Sequence, residues 1–116
     1  MNVYSGIKLE TLVSALQAQA LTDTATLEIN GCYISDLLSD VLAHAGAGML
    51  WVTIQTHHNV VSVAATKDIA AVLFTCGRKP DPAIIAEAEK EGIALWTTPL
   101  STYEAAGRLW KAGVKG

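Results

Sequence analysis

The residues of this chain with chemically versatile side chains are two adjacent histidines, His57 and His58, two cysteines, Cys32 and Cys76, and a basic pair, Arg78 and Lys79. Imidazoles and thiols can hold zinc, but a zinc site needs three or four convergent ligands. Here the donors, with Asp36, come from separate segments, and neighbouring residues of a regular strand point to opposite faces. No metal or other cofactor is expected. Cys76 stands close to a helix start and beside Arg78 and Lys79, surroundings that favour a thiolate. A phosphatase-type loop, however, needs an arginine where this chain has Pro82. Thr75-Cys76-Gly77-Arg78 offers another chemistry, since backbone amides between a strand and a helix can hold an anion. No Gly-Lys dipeptide occurs, so there is no P-loop. Gly46-Ala47-Gly48 begins like a dinucleotide fingerprint, but Trp51 takes the third glycine position and the run precedes a strand. Asp36 is the best-placed acid–base carboxylate, and a first-turn helix position accounts for it. The expectation is a binding site without catalysis.

The totals narrow the partners. The chain has 116 residues, 51% apolar and 16% charged, which fits one domain spanning 1–116 with its own core and excludes disorder. Eight basic against eleven acidic residues leave a net charge of −3, without the basic footprint of a nucleic-acid binder. No apolar run is long enough to cross a bilayer, and Met1 to Glu10 lacks the pattern of a signal peptide. Two cysteines without CxxC spacing fit free thiols in a reducing cytoplasm.

The elements that position these residues can be read from periodicity. Leu9, Leu12, Val13, Leu16 and Ala20 predict a helix over 8–20. Thr26 to Asn30 alternates as a half-buried strand. Ser35 and Asp36 offer caps to a helix carrying Leu37, Leu38, Val41, Leu42 and Ala45, stopped by Gly46 and Gly48. Met49 to Gln55 reads as a strand, and Asn59 offers a cap to a helix from Val60 to Thr66. Ala70 to Thr75 is apolar enough for a central parallel strand. Asp81-Pro82 starts a helix that Gly92 ends. Ile93 to Thr98 forms the last strand, and Ser101 with Glu104 has capping-box spacing for the last helix.

Strict alternation of strand and helix predicts an α/β fold: a three-layer open sheet of about four mainly parallel strands, with helices on both faces. Sparse surface charge leaves apolar surface to cover. A homodimer is one expected cover, with Trp51, Trp96 or Trp110 at its interface. In such sheets ligands bind outside the carboxyl ends of the strands. That edge gathers Ser35, Asp36, Thr56, His57, His58, Asn59, Thr75, Cys76, Gly77 and Arg78 as the expected ligand-binding residues. Ser35, Asn59, Asp81 and Ser101 are accounted for as caps, and His57, His58 and Arg78 are not. A small anionic ligand is the expected partner, and a protein partner the alternative.

Three runs also carry a family resemblance: Gly31-Cys32-Tyr33-Ile34-Ser35-Asp36-Leu37-Leu38-Ser39, His58-Asn59-Val60-Val61-Ser62-Val63-Ala64 and Thr75-Cys76-Gly77-Arg78-Lys79-Pro80-Asp81. With Ser101-Thr102-Tyr103-Glu104-Ala105-Ala106, they resemble stand-alone DRTGG-domain proteins, from about Gly31 onward. The resemblance implies a regulatory domain, often labelled as related to the serine kinase of HPr. Relatives are also associated with iron-only hydrogenase gene clusters or attached to CBS-domain pyrophosphatases and phosphate acetyltransferases. The motif that names the family falls on Leu73-Phe74-Thr75-Cys76-Gly77, where its acidic and basic residues are missing and Cys76 replaces a glycine. Kinase activity in HPr kinases belongs to a separate P-loop domain, so the resemblance does not imply a kinase here.

Overall fold

The computed structural model describes residues 6–23 and 27–116. The chain opens with β1 (Ile7–Lys8), a 3₁₀ turn over Leu9–Leu12, α1 (Val13–Leu16) and β2 (Gln19–Ala20). β3 (Glu28–Ile29) pairs antiparallel with β1 in a small separate ribbon. The main body follows: β4 (Cys32–Ile34), α2 (Leu38–His44), β5 (Leu50–Thr53), α3 (Asn59–Thr66), β6 (Ala71–Phe74), α4 (Pro82–Glu91), β7 (Ala94–Thr97) and α5 (Thr102–Lys111). The main sheet has the order β2-β7-β6-β5-β4. β4 to β7 are parallel, and β2 adds an antiparallel fifth strand at the β7 edge.

Side-chain alternation sorts the core onto the two faces. Trp51, Val72, Phe74 and Leu95 pack with Val41 of α2, Val60, Val61 and Ala64 of α3, and Ala88 of α4. Leu50, Val52, Ala71, Leu73 and Ala94 pack the other way, against Leu9, Leu12, Leu16 and α5 residues Ala105 and Leu109. β5 and β6 are buried along their whole length. Their continuous apolar character follows, since both faces are covered. The three crossovers step across the sheet in one direction and lay α2, α3 and α4 on one face, as crossovers of a single hand must. After β7 the chain changes face to form α5.

The three-layer α/β expectation holds, with differences at both ends of the sheet. The predicted helix over 8–20 is cut short at Leu16, because Gln17 takes the left-handed conformation at φ 50°. The chain then leaves to pair Gln19 with Thr97 and Ala20 with Trp96. The strand expected from Thr26 to Asn30 shrinks to Glu28–Ile29 and stays outside the main sheet; Thr26 lies outside the described residues. Cys32 to Ile34, between the strand and the helix expected from the sequence, is the first parallel strand. Its Cys32 and Tyr33 divide between the two cores, the period of a strand too short to show a pattern.

Helix ends match the sequence unevenly. Pro82 opens α4, and Gly92 closes it at φ 74°, a left-handed position that glycine occupies without steric cost. Ser101 Oγ accepts from the Glu104 amide at 3.2 Å, the expected cap of α5. Asn59 and Asp81 do not cap with their side chains. The tryptophans separate: Trp51 is fully buried, Trp96 is half-buried, and Trp110 is 65% exposed.

Candidate functional site

The residues predicted for the site follow the carboxyl ends of β4, β5 and β6. The register Thr53↔Phe74 sets the loops after β5 and β6 side by side. Adjacent strands lie about 4.8 Å apart, so both loops can touch one small ligand.

At the β4 end the polar side chains are committed to the fold. Asp36 accepts from Thr53 Oγ1 at 2.8 Å and from the Ile54 amide at 3.0 Å. It therefore ties the end of β4 to the end of β5 and is not the first-turn helix residue expected from the sequence. Ser35 Oγ accepts from the Leu37 amide at 3.2 Å, and its carbonyl accepts from Trp51 Nε1 at 2.9 Å. The cap of α2 expected from Ser35 or Asp36 is therefore not made: Leu37 stands at the helix boundary without a side-chain cap, and Ser35 instead closes a turn just before it.

The β5 loop is a ladder of local hydrogen bonds. Gln55 N–H donates to Thr53 Oγ1, His57 N–H to Gln55 Oε1, and Asn59 N–H to His57 Nδ1, at 3.0, 3.1 and 3.1 Å. His57, rather than Asn59, therefore satisfies an amide at the start of α3. With Nδ1 accepting, the neutral ring carries its proton on Nε2. His57 and His58 are both exposed, and their rings stack with centroids 4.1 Å apart and planes tilted by 32°. The opposed arrangement of a strand does not apply, because His58 already has helical dihedrals of −59° and −25°. Thr56 is half-buried in the same loop.

The β6 loop differs most from the sequence reading. Its amides were the candidates for cradling an anion, and each has an internal acceptor. Cys76 N–H donates to Leu100 O at 2.8 Å, Gly77 N–H to Thr98 O at 2.8 Å, and Arg78 N–H to Thr75 O at 3.1 Å. Thr75 Oγ1 shares a 2.6 Å hydrogen bond with Thr102 Oγ1, and Thr97 Oγ1 donates to Arg78 O at 2.7 Å. These bonds close the crevice between the β6 and β7 loops, where the connections change face and α/β sheets usually bind ligands. Cys76 at φ 58° and Gly77 at φ 69° carry the chain through a left-handed turn. That turn leaves Cys76, Arg78 and Lys79 exposed. Anion contact at this loop must therefore come from the basic side chains.

Two features escaped the sequence. Asp40 accepts from Tyr33 Oη at 2.9 Å and lies 3.0 Å from His44 Nδ1. Hydrogen bonds from Ser35 and Tyr33 hold the Asp40 carboxyl below its usual range, and the bond to Asp40 raises the Tyr33 phenol. The spacing of Asp40 and His44 on one helix face was a legible sign of the pair; the approach of Tyr33 from β4 was not. The second feature is a 460 Å³ groove between α3 and α4, lined by His58, Asn59, Ser62, Thr66, Glu87 and Glu91 among others. Glu87 and Glu91 share a face of α4, but only the packing of α4 against α3 brings them towards His58.

The two thiols have different surroundings. Burial pushes the Cys32 thiol up to about 12, so it stays protonated at neutral pH. Cys76 is exposed. Among the described residues no group of three His, Cys, Asp or Glu side chains could hold a metal ion.

The model of the DRTGG domain family matches residues 11–112. The chain belongs to the DRTGG domain family. The match begins upstream of Gly31 and takes in the N-terminal segment that the resemblance in the sequence did not reach. The DRTGG fold also appears in a crystal structure of the CBS and DRTGG domains from the regulatory region of Clostridium perfringens pyrophosphatase, complexed with its activator, diadenosine tetraphosphate. The TM-score is 0.74 at 16% sequence identity, over 87% of this chain and 45% of that one. This DRTGG chain thus spans less than half the length of that neighbour, and the likeness is one of fold. No curated protein sequence matches the chain. No helix among the described residues is long and apolar enough to cross a membrane.

Proposed function

We propose that this DRTGG domain is a non-catalytic regulatory module that senses a small anionic ligand, a nucleotide or phosphorylated metabolite, at the carboxyl edge of its sheet. One observation carries the reading: two adjacent loops at that edge present exposed imidazoles and exposed cations side by side. His57 and His58 present a stacked, exposed imidazole pair on one. Arg78 and Lys79 present two exposed cations on the other. A flat imidazole surface suits a nucleobase, and a guanidinium suits a phosphate. Ser35, Asp36 and Thr75 shape the edge by holding the loops, while Thr56, Asn59, Cys76 and Gly77 complete its surface. The complex of the Clostridium perfringens regulatory region with diadenosine tetraphosphate supports a nucleotide as the first ligand to try.

The test is thermal denaturation of the purified domain with diadenosine tetraphosphate, ATP, AMP and sugar phosphates. A ligand present at 100 times its dissociation constant stabilises the fold by about 2.7 kcal/mol, a readily visible shift. Arg78→Ala with Lys79→Ala should abolish the shift caused by the phosphate-bearing ligand. Absence of any shift across the panel at millimolar ligand would refute the sensing role.

A further inference from the structure

Among the described residues, three of the five buried polar side chains, Thr75, Thr97 and Thr98, sit together where the loop after β6 meets the loop after β7. Each of their hydroxyls has a partner. Thr75 Oγ1 shares its 2.6 Å bond with Thr102 Oγ1, in the first turn of α5. Thr97 Oγ1 donates to Arg78 O at 2.7 Å. Thr98 Oγ1 donates to Leu16 O at 2.5 Å, at the end of α1, and accepts from the Leu100 amide at 3.1 Å. Three main-chain bonds complete the seam: Cys76 N–H to Leu100 O, Gly77 N–H to Thr98 O and Thr98 N–H to Phe74 O, at 2.8, 2.8 and 2.9 Å. The loop that carries Arg78 and Lys79 is thus fastened to the start of α5 and the end of α1. Both elements lie on the opposite face of the sheet from α2, α3 and α4.

We propose that this seam is a latch that transmits ligand occupancy at the Arg78–Lys79 loop to α1 and α5. The inference rests on the sensing role given to that loop above. A buried polar network is favourable only while every member is satisfied. Breaking one of these bonds leaves a hydroxyl or an amide without a partner beside the core, so the seam gains little by opening in part. It therefore closes or opens as a unit. The turn itself opposes closure. Arg78 N–H donates to Thr75 O at 3.1 Å across Cys76 at φ 58° and Gly77 at φ 69°. Positive φ at both central residues marks a type I′ turn. That conformation is free of steric cost for Gly77 and not for Cys76. Arg78 joins the latch to the ligand. Its side chain is exposed at the binding edge, while its N–H and C=O both lie within the seam. A ligand that fixes this side chain favours the closed latch, and the closed latch holds the start of α5 and the end of α1. The coupling is reciprocal, so opening the seam from the α5 side disfavours the bound state. The latch is the two-arrangement element that such coupling needs.

Native-state hydrogen exchange of the whole chain tests the latch first without ligand. In Thr75→Val, and separately in Thr102→Val at the half-buried partner, the amides of Ala18, Cys76, Gly77, Leu100 and Ala105 should exchange about three- to tenfold faster relative to Trp51 and Val52 of β5. Thr102→Ser keeps the hydroxyl and should restore the wild-type pattern. Cys76→Gly removes the left-handed cost and should slow the same amides. Acceleration confined to the loop that holds the substitution, with the other segments unmoved, overturns the latch. The second arm adds ATP or diadenosine tetraphosphate at ten times its dissociation constant. A ligand that requires the closed latch should then slow exchange at Ala18 and Ala105, as at Cys76, by about tenfold. Unchanged exchange at Ala18 and Ala105 in a chain that binds the nucleotide overturns the transmission and leaves the sensing role standing. If neither nucleotide binds, the sensing role and the transmission fall together.

Discussion

Removing the Asp36 carboxylate asks whether this residue holds the binding edge or touches what binds there. Asp36 receives two hydrogen bonds, from Thr53 Oγ1 at 2.8 Å and Ile54 N–H at 3.0 Å. Thr53 is fully buried, and in Asp36→Ala its hydroxyl loses its acceptor. Leaving one buried donor unsatisfied costs about 1–3 kcal/mol. The Ile54 amide is accessible to water and contributes about 0.5 kcal/mol more. We expect Asp36→Ala to lower stability by about 2 kcal/mol, read from the urea midpoint of tryptophan fluorescence at unchanged slope. For a domain of this size that corresponds to a fall in Tm of about 6–12 °C. Asp36→Asn keeps one acceptor oxygen and should lose about half as much. A double-mutant cycle with Thr53→Val should show a coupling of about 1–2 kcal/mol, because the two residues share one bond. Ligand affinity should fall less in Asp36→Asn than in the Arg78→Ala, Lys79→Ala double variant. If Asp36→Ala melts within about 1 °C of the wild type and yet loses ligand, the strut reading is refuted and Asp36 is a contact residue.

Three further outcomes follow from the helix caps and the titrating groups. Ser101→Ala should cost about 1 kcal/mol in urea denaturation, because the Glu104 amide loses its cap. Stability should be insensitive to the Cys32 thiol below pH 9 and fall as pH rises from 9 towards 12, since the unfolded chain releases that proton near 9 while the native chain keeps it to about 12. Cys32→Ala should remove that part of the alkaline loss, and Ellman's reagent should label Cys76 in the native protein with Cys32 labelled only on unfolding. In Asp40→Asn the Tyr33 phenol should titrate at lower pH than in the wild type, seen by phenolate absorbance, because its hydrogen bond to the Asp40 carboxylate is the main cause of the rise.

The sequence was legible where one element determined its own outcome. Pro82 and Gly92 bound α4 because proline fixes the first turn and glycine the left-handed exit. The runs through β5 and β6 showed buried strands because both faces needed apolar residues. It was not legible where distant segments decide. Cys32 to Ile34 becomes a strand only because β5 lies beside it, with Ser35 N–H reaching Val52 O at 3.3 Å. Ala20 leaves its predicted helix because β7 offers an edge. The candidate site divides in the same way. The order of strands and helices was sufficient to gather its residues at one sheet edge. Which of them stay free depended on partners up to 27 residues away, as Thr102 is from Thr75. The amides of Cys76 and Gly77 looked available in the sequence because their acceptors, Leu100 and Thr98, belong to the next loop.

The most direct test of the sensing edge is amide chemical-shift mapping of the labelled domain titrated with diadenosine tetraphosphate or ATP. The account predicts saturable shifts concentrated on residues 55–59 and 75–79, lost when Arg78 and Lys79 are both replaced by alanine. Shifts confined to the α3–α4 groove around Glu87 and Glu91, or saturable shifts that persist in that double variant, would contradict it.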